Sequence, residues 1–599
     1  MAEHQPFVLL DDARGEGASD AQLFENPVRV FVARRPDEVL PALEAADAAR
    51  RETGGTLAGY LAYEAGLALE PKLGALAQMR SGAVGPLLWF GLFDALRTIP
   101  AADVPRWLAE RAGAAPASIG PLEPQISIGG YLDAFAALQE AIRAGDIYQA
   151  NLTMPLAGPA RGDPLAIYAA IRPSAGAGYG GVIFDGSDWL LSFSPELFFS
   201  LKGRAAKTKP MKGTRPRGRD EAEDAAFIAE LAASAKDKAE NLMIVDLLRN
   251  DLSRVAEAGS VRVDNLFAIE TYPTVHTMVS TVRAELVPGK GAMDMIRALF
   301  PCGSITGAPK IRAMELIDDL ERDARGPYCG SIGRIDGNGD AAFNVAIRTV
   351  RLTPGENQRH RAVLGVGGAI VADSHGMAEW RECLVKGGFA RGAAGGFDLI
   401  ETMLFDPEEG VPRLELHVGR LKHSATELGF AFDRHEARNR IQALCFELEA
   451  PTRLRLLLSR QGEIALEAAP LPPPMEGVAP CVALPLPVVP GDWRLRHKTT
   501  DRGFHEEALA VARAGGAREA LLVRDDGLVT EGSFTNVFVE RAGVLLTPPA
   551  SLGLLPGVLR AELLMEGRAR EAELALEDLA DGFFIGNALR GLIPARLIP

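Results

Sequence analysis

Six residues, Arg391-Gly-Ala-Ala-Gly-Gly396, divide this 599-residue chain. Five of the six are glycine or alanine, so the segment has almost nothing to bury and reads as a linker. A chain of this length also exceeds what one hydrophobic core supports, so more than one domain is expected. We expect a first domain over 1–390, with an N-terminal portion 6–125 and a core 126–390. A linker 391–396 and a second domain 397–599 follow.

Apolar periodicity gives the coarse element order. Residues 7–10, 28–32 and 87–93 read as buried strands, 37–53 as a helix, and 112–124, rich in Ala, Gly and Pro, as a loop. Residues 131–144 have helical spacing and stop at Gly145. Residues 190–200 and 205–210 read as a strand pair, 220–251 as mostly helix, and 261–267 and 275–285 as strands. Helices are expected at 292–300, 310–320 and 377–386, and strands at 342–351 and 362–371. After the linker, 397–405 reads as a strand and 414–428 as a helix. A proline-rich connector at 470–490 divides the second unit.

The net charge of −15 argues against nucleic acid as a partner. Five scattered cysteines, odd in number, suit a reducing compartment without disulfides. The first fifteen residues lack a basic region followed by an apolar run, and no run reaches the length of a membrane span, so the cytoplasm is the expected location.

Two features carry chemistry. In Lys209-Pro-Met-Lys-Gly-Thr-Arg-Pro-Arg217, prolines exclude a regular helix and Gly213 lets backbone approach a ligand. Lys212 there is either a nucleophile, if burial or a nearby cation lowers its pKa, or one cation of a basic surface loop. Asp237 and Glu240, and Glu379 and Glu382, are i,i+3 pairs on two expected helices, with Lys386 one turn beyond the second. Such pairs are either solvated faces or, brought together, a Mg²⁺ site completed by a substrate anion.

Five stretches then occur in order: Gly145-Asp-Ile-Tyr-Gln-Ala-Asn-Leu-Thr153, Ser194-Pro-Glu-Leu-Phe198, residues 236–252, Gly303-Ser-Ile-Thr-Gly-Ala-Pro-Lys310 and Ala378-Glu-Trp-Arg-Glu382. Together they resemble the chorismate-utilising family over roughly residues 6–390. That resemblance implies an α+β fold of large antiparallel sheets with helices. It implies Mg²⁺ held by Glu240 and Glu382, with Asp237 and Glu379 in the outer part of the site. Thr214, Ser304, Tyr328, Arg348, Gly367, Gly368 and Lys386 would line the substrate, Arg348 suiting a carboxylate. Glu196 would be the general acid/base, and His276 either a polar or acid/base group near the ring or a satisfied core histidine. Aminodeoxychorismate synthases carry lysine where Lys212 stands and anthranilate synthases carry alanine, so the resemblance implies attack by Lys212 on the ring. Residues 7–12 weakly resemble the family's tryptophan-pocket segment. No cysteine sits in a Gly-x-Cys-x-Gly elbow, so ammonia would come from a separate glutamine amidotransferase subunit.

A second ordered set resembles the fold-type IV pyridoxal phosphate enzymes, an α/β domain over about 397–599. It comprises Phe397-Asp-Leu-Ile-Glu-Thr-Met403, Leu416-His-Val-Gly-Arg420, Arg494-Leu-Arg-His-Lys498, Thr530-Glu-Gly-Ser-Phe-Thr-Asn536 and Leu554-Leu-Pro-Gly-Val-Leu-Arg560. The resemblance makes Lys498 the cofactor lysine and Glu531 the partner of the pyridine nitrogen. Arg420 and the amides of Val558 and Leu559 would hold the phosphate, with Thr535 and Asn536 beside the cofactor. It implies a homodimer through this domain. Phe583-Phe-Ile-Gly-Asn-Ala-Leu-Arg590 resembles a segment of 4-amino-4-deoxychorismate lyase. Joined, the halves imply conversion of chorismate through 4-amino-4-deoxychorismate to the folate precursor 4-aminobenzoate. An anthranilate synthase, a D- or branched-chain aminotransferase, and a second domain reduced to an interaction module are the alternatives.

Overall fold

The computed structural model describes residues 5–598 apart from 16, 80–84, 113–116, 219, 273–274, 357–358, 394–396, 461 and 476. The chain divides into two compact units, residues 1–395 and 396–599. The end of the expected linker, 394–396, lies outside the described residues, and a short 3-10 turn, Gly388–Ala393, precedes it.

In the first unit the described strands form two large sheets of eleven and ten strands, and every pairing in them is antiparallel. Apolar side chains from both meet face to face. Val8, Phe24, Ile183 and Leu190 of one sheet bury against Tyr60, Trp89, Phe93 and Ile332 of the other. The outer face of the eleven-stranded sheet packs against helices that include Ile128–Ala144, Pro164–Ala175 and Gly376–Gly387.

The expected single strand over 190–200 is two strands in different sheets. Trp189–Ser192 belongs to the first sheet and Leu197–Lys202 to the second. Pro195 cannot donate to a ladder, and the chain leaves one sheet for the other across Phe193–Glu196. The expected strand over 342–351 breaks in the same way. Ala341–Asn344 lies in the second sheet and Thr349–Pro354 in the first, and Arg348 between them has φ 49°. The two crossings run side by side. Phe193 N donates to Arg348 O at 2.9 Å, Val345 N to Glu196 O at 3.1 Å, and Ser194 Oγ to Val345 O at 2.6 Å.

Two further expectations are corrected. The stretch read as a loop, 112–124, contains the short strands Ser118–Ile119 and Glu123–Pro124, both paired with Gln149–Arg161. The expected helix over 220–251 is two helices, Glu221–Ala233 and Ala235–Ser253. Ser234 caps the second through its side chain, which accepts from Asp237 N.

In the second unit a three-stranded antiparallel sheet, including Leu399–Phe405 and Thr452–Leu458, packs against the helix Leu414–Leu428. A mixed eight-stranded sheet completes it. The proline-rich connector contains a strand of that sheet, Ala479–Pro485, parallel to both neighbours, Glu519–Val523 and Gly591–Leu597. Its prolines sit near its two ends, where a missing amide costs the ladder least.

Candidate active sites

Glu196 lies on the crossing between the sheets, buried, with no hydrogen-bond partner on Oε1. Burial pushes its carboxyl up to about 7, against hydrogen bonding to Ser304 and the attraction of Lys212. Ser304 is itself buried in the short turn Gly303–Ile305.

Lys212 sits on the strand Met211–Pro216, opposite Met278, and a bulge follows at Gly213. Gly213 has φ 74°, and a β-carbon there would fall 2.8 Å from Asp237 Oδ1, so glycine lets this strand lie against the helix Ala235–Ser253. That helix brings Glu240 toward Lys212. Burial draws the Lys212 ammonium below its ordinary range. Lys386 adds to this, while Glu240, Glu196 and Glu382 oppose it. The lysine stands among three carboxylates and a second cation.

The second carboxylate pair lies on the helix Gly376–Gly387, against the strand Arg359–Ile370. Lys386 Nζ donates to Gly367 O at 2.9 Å and pairs with Glu382 at 2.7 Å. A β-carbon on Gly368 would meet Glu379 Oε2 at 3.0 Å. Burial raises Glu240, and Asp237 and Glu382 add to it. Glu382 is lowered, because Lys386, Lys212 and Lys236 outweigh its burial. Glu379 is raised by burial and accepts from Ser374 Oγ at 2.7 Å. Asp237 is paired with Arg215 at 3.2 Å. Among the described residues no group of three or more His, Cys, Asp or Glu side chains forms a metal site by itself.

Tyr328 is buried against Gly365, where a β-carbon would strike its ring. Arg348 is half-buried. Burial lowers its guanidinium, and no carboxylate pairs with it among the described residues. Thr214 is exposed beside Thr277. His276 is held by other partners: Nε2 lies 2.8 Å from Asp224 Oδ1 and Nδ1 lies 2.9 Å from Thr271 Oγ1. Both ring nitrogens are engaged, as in a satisfied core histidine. Asp11, in the stretch weakly matched to a tryptophan pocket, pairs with Arg172 at 2.7 Å and accepts from Tyr168 at 2.8 Å.

In the second unit Lys498 Nζ donates to Thr402 Oγ1 at 3.1 Å. Burial, helped by Arg420, pulls it down to about 7. Arg420, on the helix Leu414–Leu428, is gripped by Glu401 at 2.9 and 2.7 Å, and its Nη1 reaches Pro556 O at 3.3 Å. Glu401 also lies 2.6 Å from His417 Nδ1. Burial works to raise Glu401, yet Arg420 and His417 hold it at about 2. Val558 and Leu559 open the helix Val558–Met565, so their amides have no partner within it. Asn536 Nδ2 donates to Leu555 O at 3.0 Å, just before that helix. Glu531, buried, accepts from Leu555 N at 3.0 Å and lies 3.3 Å from His505 Nε2.

Sequence reasoning missed two carboxylates here. Glu401 aims Arg420, and Glu519 holds the turn that carries Thr535. Glu519 accepts from Ala520 N and Ser533 N at 2.9 Å, from Thr535 Oγ1 at 2.8 Å, and from Ser533 Oγ. Burial pushes it up to about 7. The signal was present in both cases: each is the lone carboxylate of an apolar strand, within Leu-Ile-Glu-Thr-Met and at the start of Glu-Ala-Leu-Leu-Val.

A family model described as chorismate binding enzyme matches residues 5–391, and one described as amino-transferase class IV matches residues 398–598. The chain is 44% identical over 256 residues to aminodeoxychorismate synthase component 1 of Klebsiella aerogenes, covering 43% of this chain and 56% of that protein. It is 40% identical over 257 residues to anthranilate synthase component 1 of Streptomyces coelicolor, covering 43% of this chain and 49% of that protein. The chain spans about half the length of the curated relatives it matches. Among solved structures, anthranilate synthase component I from Streptococcus pneumoniae superposes with a TM-score of 0.52 at 25% identity, covering 63% of this chain and 93% of that one.

Proposed function

Since the chain belongs to the chorismate binding enzymes, whose model covers residues 5–391, we propose that its first unit is an aminodeoxychorismate synthase component I. The second unit then cleaves the product to 4-aminobenzoate and pyruvate. The observation that carries the reading is Lys212, drawn toward its neutral form among Glu196, Glu240 and Glu382.

A neutral Lys212 amine attacks C2 of the chorismate ring, and the C4 hydroxyl departs as water with a proton from Glu196. Ammonia then bonds to C4 and the C2–N bond to Lys212 breaks, which returns the amine. At about 7, Glu196 holds its proton roughly half the time near neutrality, as a donor in this step requires. Arg348, with no carboxylate of its own, suits the enolpyruvyl carboxylate. Glu240 and Glu382 fit Mg²⁺: burial beside Glu382 raises Glu240, and a cation relieves that repulsion. Two carboxylates leave room for substrate and water oxygens, and the ion would supply positive charge opposite the ring carboxylate. Ammonia would come from a glutamine amidotransferase partner, as the component 1 name of the relatives suggests.

The second unit fits pyridoxal phosphate. Lys498, held at about 7, lies near Arg420, whose guanidinium reaches the carbonyl before a helix start with free amides. Glu531 offers a buried carboxylate for the pyridine nitrogen. When bound, the cofactor supplies an electron sink. Lys498 Nζ takes the proton from C4 of the substrate. The C3–O bond breaks, the ring becomes aromatic, and the departing enolpyruvate takes a proton to become pyruvate.

The test is a product assay with chorismate, Mg²⁺, an ammonium salt and pyridoxal phosphate, read by mass and fluorescence. Wild type is expected to give 4-aminobenzoate, Lys212→Ala neither product, and Lys498→Ala aminodeoxychorismate. Anthranilate from wild type overturns the first assignment. A halt at aminodeoxychorismate, with amino transfer to a keto acid, overturns the second.

A further inference from the structure

A row of cations crosses the second sheet of the first unit. Lys207, on the strand Ala205–Lys209, lies directly opposite Ser200 on one side and Arg283 on the other, and Arg283 lies opposite Arg262. Like charges placed directly opposite one another weaken a sheet, so this row works against the fold that contains it. Nearby carboxylates answer only part of it. Asp264 lies 2.8 Å from Arg283 and 3.7 Å from Arg262, and Lys209 pairs with Glu270. Lys207 has no ion pair among the described residues. Burial, then Lys209, Arg283 and Lys202, hold its ammonium below the ordinary lysine range.

The row floors a depression of about 250 Å³ whose walls add Lys202 and Glu285. Four cations and one carboxylate therefore face one small volume, in a chain whose net charge is −15. The excess positive charge is local and concave, and Ser200 adds a hydroxyl donor at its edge. The size excludes a folded partner and suits a compact ion. A doubly charged oxyanion would neutralise the excess and accept several charge-assisted hydrogen bonds at once.

We propose that this depression is a binding site for a small phosphate-type dianion, either free phosphate or the phosphate of a monoester. The test uses full-length protein loaded with pyridoxal phosphate and then freed of unbound cofactor, itself a phosphate monoester, so that phosphate added later does not register in the second unit. Inorganic phosphate and glycerol 3-phosphate are titrated separately by calorimetry at fixed ionic strength. Saturable binding is expected, and whichever ligand binds more tightly identifies the source. Lys207→Met and Arg283→Gln are each expected to weaken binding at least tenfold, while Lys290→Met, at a lysine that pairs with Asp294 and does not line the depression, leaves it unchanged. Ser200→Glu puts a carboxylate beside Lys207. That variant is expected to abolish the phosphate response and to melt no lower than wild type, which separates loss of the site from loss of the fold. Absence of saturable binding in wild type, or binding that survives in both Lys207→Met and Ser200→Glu, overturns the proposal.

Discussion

The Val345 amide donates to the Glu196 carbonyl at 3.1 Å, which ties one crossing between the sheets to the other. Glu196 is thereby fixed by backbone on both crossings while its Oε1 stays unpartnered. Such a carboxyl acts as a donor only while protonated. Glu196→Gln should cut the rate of aminodeoxychorismate formation by about 10²–10⁴. The wild-type rate should decline as pH rises through about 7, and that limb should be missing in the variant. A pH–rate profile of both proteins with saturating ammonium checks this. A variant that keeps the wild-type rate rules out the acid role.

Gly213 meets Asp237 closely and has a positive φ, so alanine there both strains the backbone and pushes the Lys212 strand off its helix. Gly213→Ala should cost about 1–2 kcal/mol of stability and reduce turnover of chorismate more than it raises KM. Thermal melting and steady-state kinetics decide. Wild-type kinetics in the variant would show that the close approach is irrelevant to placing Lys212.

Glu401 grips Arg420 with two charge-assisted hydrogen bonds. Glu401→Gln should loosen Arg420 and weaken pyridoxal phosphate binding about tenfold or more, since such bonds contribute roughly 1.5–3 kcal/mol. Fluorescence titration of apoprotein with the cofactor measures it. Unchanged affinity would mean that Arg420 does not reach the phosphate.

Glu519 gives a stability test with a defined sign. Its folded value, about 7, lies above the ordinary 4.5 for glutamate. The stability it contributes is therefore full below 4.5 and is lost as pH rises through 7. Glu519→Gln, neutral at every pH, should melt above wild type at pH 8 and close to it at pH 4.5. Glu519→Ala should melt lower throughout, because Ser533, Thr535 and Ala520 lose their acceptor, at about 1–3 kcal/mol. Melting curves across that range discriminate. A Glu519→Gln protein that melts below wild type at pH 8 contradicts the raised value.

The ordered motifs made much of this legible. They and the resemblance they carry singled out Glu196, Ser304, Glu240, Glu382, Lys386 and, from its own proline-flanked stretch, Lys212, which the fold brings together from segments almost two hundred residues apart. Periodicity did less. Residues 190–200 read as one strand because both halves are buried, and the break is marked only by Pro195. Residues 479–485 disappeared into a proline-rich stretch because proline at a strand end looks the same in sequence as proline in a loop. Thr271, one partner of His276, lies five residues away on the paired strand, but the other, Asp224, lies 52 residues away, and local pattern carries no information about it.

The paired crossings also bear on how this enzyme comes into being. In a chain with one sheet formed and the other still open to water, Glu196 would sit in solvent and ionise like any glutamate. Its proton-holding character arises only once it is buried on the crossing between them. Activity of the first unit should therefore return only with native burial of Glu196, and not with secondary structure alone. A half-assembled chain would be chemically silent toward its substrate.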